Sequence, residues 1–287
     1  HEDVRANIRP TILRLASSDP HFGRNIAARL VEALLVPGAP EGVPTATAAL
    51  LRDDLRTYLD EISAEMVWKL LQSRSAPAQE IGGILLTTNV DGASISMPQI
   101  VQLASHDVLA VREASWQMCR QQLPRLKHQI VEAARIIDAD WEDSRRFAFE
   151  LFREQFTGDD FPTGVLVSMC DSVREDVQQF GRDLVTRFFR ESDGPEYLQR
   201  LSEHPSVSMQ QFTSNYLDRY AANGHERLAE LENYFRSVLS RVNQGRVAKD
   251  RVFRLFEREL EKSPEHAKAI AAVIARQSAT AAIGDKA

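Results

Sequence analysis

The chain has 287 residues, of which 43% are hydrophobic and 26% charged, and its formal net charge is −6. These proportions are typical of a folded water-soluble protein, and no run of about 18 apolar residues is present that could cross a membrane. The two cysteines, Cys119 and Cys170, have no CxxC spacing, which argues against a disulfide framework and a structural zinc site. We therefore expect buried thiols in a cytoplasmic protein.

The charge is unevenly distributed. Residues 1–100 carry a net charge of −3, residues 101–204 carry −6, and residues 205–287 carry +3. An acidic body argues against wrapping a phosphate backbone, so only the last third leaves a nucleic-acid role open. The 29 arginines against 6 lysines indicate a GC-rich bacterial genome, and the start at His1 suggests a segment of a longer protein.

The first half of the chain reads as helices separated by corners. Helices are predicted over residues 4–16 and 20–36, with Asp19-Pro20 as the start signal of the second. An insertion at about residues 37–60 contains a further helix over residues 45–59. Helices over 64–72 and 77–89 follow, and Gly82-Gly83 inside the last one indicates either a close backbone approach or a flexible hinge.

A repeat then dominates residues 105–216. The pairs Ala114-Ser115, Phe147-Ala148, Phe180-Gly181 and Phe212-Thr213 are 33, 33 and 32 residues apart, and Ile26-Ala27 and Ile81-Gly82 continue the pattern upstream. The second member is always small, which we expect to let the helix of the neighbouring repeat approach closely. Such a period indicates a helical-repeat architecture, with long helices near residues 108–122, 141–155, 173–190 and 206–221. Short helices are predicted to end at Leu103, Ile136, Met169 and Leu201.

One stretch resembles a known family. Asp107-Val108-Leu109-Ala110-Val111-Arg112-Glu113-Ala114-Ser115 is similar to the second-helix signature of HEAT repeats, in which Asp, Val-Arg and a small pair recur in this order. The Val-Arg pair becomes Ser144-Arg145, Val177-Gln178 and Met209-Gln210 in later units. The resemblance covers about residues 3–222 and implies an all-α, right-handed α-solenoid of HEAT-like helical hairpins.

The register changes after Asn223-Gly224. Helices over residues 225–242 and 246–261 are predicted to meet at Asn243-Gln244-Gly245. We interpret residues 223–262 as a divergent C-terminal helical cap or last repeat, following an array over residues 1–222. Residues 263–287 are expected to form a C-terminal helix and a frayed tail.

Chemical motifs are weak. Ser105-His106-Asp107 are adjacent, so they predict a helix cap rather than a catalytic triad. Acidic residues such as Asp138, Asp140 and Asp143 cluster at helix starts. There they interact favourably with the helix dipole, which explains them better than an acidic docking or metal site does. Trp68, Trp116 and Trp141 invite comparison with HEAT-like DNA glycosylases, but the expected groove is not cationic. We therefore predict no enzyme activity, cofactor, metal or small-molecule ligand.

Two surfaces are candidates for partner binding. The resemblance implies that second helices line a concave side, where a mixed-sign, amide-rich ridge suits a peptide or protein: Glu113, Gln117, Arg146, Glu150, Gln179, Asp183, Gln211 and Asn215. A basic face on the helix after residue 245 comprises Arg246, Lys249, Arg251, Arg254 and Arg258. This face is either solvated and paired with Glu257 and Glu261, or a contact for an acidic protein partner or nucleic acid.

These features predict a protein–protein interaction scaffold or adaptor. Its partner would be another protein or another domain of the same longer chain, as in a bacterial multiprotein assembly. The alternative is a nucleic-acid-binding helical-repeat protein that uses the basic C-terminal third.

Overall fold

The computed structural model describes residues 2–188, 190–202, 204, 207–221, 225–240 and 246–280. Within these ranges every regular element is a helix, which confirms the all-α prediction. No helix there is long and apolar enough to span a membrane. The predicted break at Asn223-Gly224, the corner at Asn243-Gln244-Gly245 and residues 281–287 of the predicted tail lie outside the described residues.

The chain divides into two compact units, His1–Glu154 and Gln155–Ala287. The helices of the first unit are α1 (Glu2–Ser18), α2 (Pro20–Ala33), α3 (Val43–Asp53), α4 (Ala64–Gln72), α5 (Ala76–Asn89), α6 (Met97–Leu103), α7 (Leu109–Gln121), α8 (Leu123–His128), α9 (Ile130–Ala133) and α10 (Glu142–Gln155), with 3₁₀ turns at Arg56–Tyr58, Gly92–Ser94 and Ala134–Asp138.

Helix pairs build the first unit. α1 packs on α2, α4 on α5, and α6 on α7, while α5 and α7 pack side by side. The insertion contributes α3, which contacts both α2 and α5. The predicted helix over residues 45–59 ends instead at Asp53 and continues as a 3₁₀ turn, although Leu51, Leu55 and Leu59 are all buried as expected.

The connection between α7 and α10 also differs from the prediction. Instead of one short helix ending at Ile136, the chain forms α8, α9 and a 3₁₀ turn. Pro124 stands near the start of α8, where a proline is tolerated because the first helical amides lack intrahelical partners.

The second unit contains α11 (Thr163–Cys170), α12 (Glu175–Phe188), α13 (Gly194–Ser202), α14 (Val207–Ala221), α15 (His225–Glu230), α16 (Glu232–Leu239), α17 (Arg246–Leu260) and α18 (Pro264–Thr280), with 3₁₀ turns at Gly158–Asp160 and Glu191–Asp193. α11 pairs with α12, α13 with α14, and α16 with α17. α13 contacts both α11 and α16, α14 contacts α17, and α18 packs on α15, α16 and α17. The predicted helix over residues 225–242 is interrupted at Leu231, whose side chain is buried.

A hydrogen bond recurs at the corners of these pairs. In five longer helices, one side chain donates to the backbone carbonyl six residues earlier, at distances of 2.6–3.0 Å. Arginine and glutamine can both fill this role because both carry an N–H donor at the end of a long side chain. The replacement of arginine by glutamine that weakens the sequence motif therefore preserves the contact. The donors are Gln79, Arg112, Arg145, Gln178 and Gln210.

The small residues of the repeat are buried, but the helices that they contact are not the ones predicted. The Ser115 hydroxyl donates to the Ile100 carbonyl at 2.6 Å, and a Cβ on Gly181 would lie 2.7 Å from the Cys170 amide nitrogen. α6 and α11 are the pairing helices of the same hairpins. At these positions the small residue lets the two helices of one hairpin pack closely. We expected it to admit the helix of the neighbouring repeat, and at these positions that expectation is wrong.

Gly83 allows α5 to pack closely against α7 of the next hairpin. A Cβ on Gly83 would lie 2.6 Å from the amide nitrogen of Val111 at the start of α7, whereas Gly82 faces Leu70 and Leu71 of α4. Both glycines lie inside the uninterrupted α5. Close helix packing, against the α7 backbone at Gly83 and against α4 side chains at Gly82, explains the pair rather than a hinge.

We expect Gly181→Ala to destabilise the second unit by about 1–3 kcal/mol, because the added methyl would press on the α11 backbone. Gly164→Ala is the matched control, since the nearest atom to its Cβ is the Arg200 side-chain tip at 3.4 Å. Urea denaturation followed by far-ultraviolet circular dichroism measures both. Equal stabilities of the two variants would contradict the proposed contact.

We expect Gln178→Met to cost about 1 kcal/mol, because the Ser172 carbonyl loses its side-chain donor. Gln178→Arg should cost less, since arginine makes the same contact at Arg112 and Arg145. The same denaturation measurement compares the two variants, and a larger loss with arginine than with methionine would refute the shared role.

Candidate binding clefts

The first cleft lies in the first unit and contains two of the predicted ridge residues. Glu113 and Gln117 of α7 line it together with residues of α3, α5 and the 3₁₀ turn that follows α3. It encloses about 490 Å³. We call it the first-unit cleft; its other polar or exposed lining residues are Arg52, Arg56, Glu80, Thr87 and Leu109.

The charges of the first-unit cleft fall into two groups. The Arg52 guanidinium donates to Asp53 at 2.8 Å and to Glu80 at 2.5 Å, and these contacts raise the pKa of Arg52 and lower that of Asp53. Arg56 and Glu113 are exposed and have no hydrogen-bonding or ionic partner within the described part of the chain. One cation and one anion are therefore available to a ligand.

Arg146 and Glu150 are exposed on α10 and do not line this cleft. Arg146 pairs with Glu142 one helical turn earlier, at 2.7 Å. Exposed pairs of this kind contribute little stability, so Arg146 can still exchange partners.

The second cleft brings four predicted ridge residues together. Gln179 and Asp183 of α12 face Gln211 and Asn215 of α14 across about 410 Å³. A hydroxyl–hydroxyl hydrogen bond of 3.0 Å between Thr186 and Tyr216 joins the two helices. We call this the second-unit cleft; Arg182, Thr186 and Phe212 complete its lining.

Some of the polar side chains in the second-unit cleft are hydrogen-bonded to one another. The Gln179 amide donates to Asp183 at 2.9 Å, and its oxygen accepts from Arg182 at 2.7 Å. Gln211 and Asn215 are exposed, and within the described residues their side-chain amides have no hydrogen-bonding partner. These two amides offer both donors and acceptors to a ligand.

The basic face of α17 is not simply solvated. Arg251 donates to the Gln211 carbonyl at 2.9 Å and to the Ser214 hydroxyl, so it joins α17 to α14. Arg258 lies 3.2 Å from a carboxylate oxygen of the fully buried Glu259, so one of its contacts is to a side chain outside the predicted Glu257 and Glu261. The remaining members differ in exposure: Arg246 and Arg254 are exposed, and Lys249 is half-buried.

Ser105-His106-Asp107 forms a corner, as predicted. His106 Nδ1 accepts from the Val108 amide at 3.0 Å, and the Ser105 hydroxyl accepts from the Asp140 amide at 3.2 Å. The histidine therefore bonds the backbone just before α7, but the N-cap residue of α7 is Val108 and no side chain caps the helix, so the prediction of a helix cap at Ser105-His106-Asp107 is wrong. Burial lowers the pKa of His106, because it disfavours the charged imidazolium.

Two of the tryptophans are committed to packing. Trp116 stacks on Phe147 with a centroid distance of 5.6 Å, and its Nε1–H donates to Ser144 at 3.0 Å. The Arg112 guanidinium lies 4.4 Å from the Trp141 ring centroid and also bonds Asp143 at 2.6 Å. Trp116 is therefore not an open stacking platform for a base, whereas Trp141 is 40% exposed and has one face covered by Arg112.

The two cysteines are buried, as expected, in separate units. Burial raises the pKa of each thiol to about 12, so neither supplies a thiolate near neutral pH. In the described ranges no cluster of three or more His, Cys, Asp or Glu residues could hold a metal ion.

Six ridge residues predicted from the repeat register lie in the clefts, but three lining arginines were not predicted. Arg52 and Arg56 lie in the insertion, which has no counterpart in the other repeats and hence no register from which to place them. Arg182 could have been found, because it lies three residues after Gln179 and one before Asp183 on the same helix.

No protein-family model matches this chain, and neither the curated proteins nor the solved structures contain a significant match to it. A function can therefore be inferred only from the chain's own fold and clefts.

Stability should fall as the pH drops from 7 to 5, in part through His106. Its pKa is lower in the folded protein than in the unfolded chain, so its contribution is present above about pH 6.5 and lost as the ring protonates. His106→Asn should flatten this dependence, because an asparagine oxygen can accept from the Val108 amide without titrating. Urea denaturation across this pH range tests the effect; parallel pH profiles for the two proteins would exclude it.

Proposed function

We propose that this chain is a non-enzymatic protein-interaction module built from HEAT-like hairpins, whose second helices present clefts to extended segments of a partner. The observation that carries the proposal is the position of the ridge. Six of its eight residues, chosen from repeat register alone, line two clefts formed largely by second helices.

The corner contacts support HEAT-like hairpins. The same donor position bonds the same relative carbonyl in five helix pairs, at the spacing of the repeat. Small residues bring the paired helices together in the same register. Recurrent contacts at a fixed period are what stacked helical repeats require.

The lining chemistry supports a peptide ligand. Volumes of about 490 and 410 Å³ accommodate a few side chains of an extended segment. Exposed amides and mixed charges can bond the donors and acceptors of a peptide backbone, and exposed Leu109 offers an apolar contact. Affinity would come from a few such anchors.

Nucleic-acid binding is the second candidate, supported by the cluster of arginines on α17. Residues 155–287 nevertheless contain 18 basic and 20 acidic residues, a net charge of −2. Because phosphate binding depends on many available cations, this balance and the bonded state of Arg251 and Arg258 favour a protein partner. That partner would be a separate protein or another domain of a longer chain.

We expect the wild-type chain to recover a stoichiometric protein from source-cell extract, with or without nuclease. Glu113→Arg should reduce this recovery by about tenfold, because it reverses the available anion of the first-unit cleft. Quantitative mass spectrometry of the captured proteins measures the change.

Glu132→Arg is the control for this experiment, since it makes the same charge change at an exposed position on α9, outside the cleft. It should leave recovery unchanged. Equal effects of the two variants would contradict a role for the cleft, and recovery that disappears with nuclease would support the nucleic-acid alternative.

A further inference from the structure

We infer that the first-unit cleft binds an extended segment of a protein partner in which an acidic residue lies between an apolar and a basic residue. This inference rests on the proposed function and specifies the ligand of one of its two clefts. The lining charges of this cleft cancel, since they comprise two arginines and two glutamates. A ligand is therefore selected by the order of its side chains rather than by its net charge.

Two helices each turn one face toward the cleft. The lining residues of each helix are three or four positions apart, so they share one side of it. At about 1.5 Å per residue, either row is about 10–12 Å long, close to the length of about three residues of an extended chain. The α5 row is Glu80, Gly83, Ile84 and Thr87, and the α7 row includes Leu109, Glu113 and Gln117.

The α7 row presents an apolar, an acidic and an amide side chain in succession. Leu109 is 48% exposed, and Glu113 and Gln117 are exposed with no bonding partner among the described residues. Leu109 and Glu113 are about 6 Å apart along the helix, and side chains on one side of an extended peptide are about 7 Å apart. An apolar and a basic residue two positions apart can therefore contact Leu109 and Glu113 together.

The cations nearest to Glu113 on α7 are already engaged. The residues three and four positions before and after it are uncharged. Adjacent Arg112 is buried and bonds Asp143 at 2.6 Å. Arg120, two turns later, lies over the Phe147 ring, with its guanidinium carbon 4.7 Å from the ring centroid. The Glu113 carboxylate is therefore available to a basic side chain of the ligand.

Arg56 supplies the opposite charge from the 3₁₀ turn that follows α3. The nearby carboxylates Asp53, Asp54 and Glu80 are bonded to other arginines. Asp60 comes two residues after the turn ends, and within the described part of the chain it forms no ion pair with Arg56. The five N–H donors of an arginine suit a carboxylate ligand, so Arg56 can bond an acidic side chain.

The packing of the helices places the acidic residue between the other two. α5 packs against both α3 and α7, which puts the turn after α3 and α7 itself on opposite sides of the cleft. Successive side chains of an extended chain point to opposite sides. When the apolar and basic residues face α7, the residue between them therefore points toward Arg56.

The test is fluorescence anisotropy with a labelled peptide that contains leucine, glutamate and lysine in that order, flanked by serines. The matched peptide has the same composition, with the glutamate and the lysine exchanged. The first peptide should bind at least about tenfold more tightly, because only its order brings lysine to Glu113 and glutamate to Arg56. Equal affinities of the wild-type chain for the two peptides would overturn the inference.

A charge exchange in the protein should reverse this preference. Combining Arg56→Glu with Glu113→Arg keeps the net charge and should make the matched peptide the tighter ligand by about tenfold. The control combines Glu132→Arg with Arg135→Glu, at exposed positions of α9 and the following 3₁₀ turn, outside the cleft. It should change either affinity by less than about twofold. A preference that survives the exchange in the cleft would refute the assigned contacts.

Other occupants of the cleft give different results. Tighter binding of a labelled DNA duplex than of either peptide, lost with the exchange in the cleft, would overturn the inference in favour of nucleic acid. Self-association of the wild-type chain in analytical ultracentrifugation, lost in the same variant, would overturn it in favour of a second copy.

The pull-down separates this inference from the proposed function. If Glu113→Arg loses the captured protein while neither peptide binds, the inferred order of residues is wrong and the interaction module stands. If neither peptide binds and recovery is insensitive to Glu113→Arg, both proposals fall.

Discussion

The arrangement of this protein depends on how the end of one helix is joined to the start of the next. The carbonyls of corner residues just past a helix end lie outside its hydrogen-bond ladder, and leaving them without hydrogen bonds at a packed corner is costly. Here a side chain from the following helix supplies the donor, as Gln178 does for Ser172 and Arg112 does for His106. This contact fixes the direction in which the longer helix leaves the corner, and both clefts are lined by such helices.

Much of the helical structure could be predicted from periodicity and capping residues. The bounds of α4 and the end of α6 at Leu103 agree with the prediction, because local signals determine them. The helix interruptions at residues 122–138 and at Leu231 depend on tertiary packing, which cannot be read from the periodicity of apolar residues in the sequence. Repeat register also placed Gln179 and Asn215 on facing helices, but it could not reveal the partners of Arg251 or Arg258.

The two clefts combine similar backbone arrangements with different charges. Arg52 is bonded to Asp53 and Glu80 in the first, which leaves opposite charges at Arg56 and Glu113. In the second, Arg182 and Asp183 line the cleft beside the exposed amides of Gln211 and Asn215. Under the proposed function, this difference in charge would let the two clefts select different segments of a partner.

The division into two units has a practical consequence for spectroscopy. All three tryptophans, Trp68, Trp116 and Trp141, lie in the first unit, whereas helices occur in both. Indole emission therefore reports on the first unit alone, and the stacking of Trp116 on Phe147 makes it sensitive to the separation of α7 from α10. Comparing emission with circular dichroism in one denaturation experiment would show whether the two halves unfold together or in sequence.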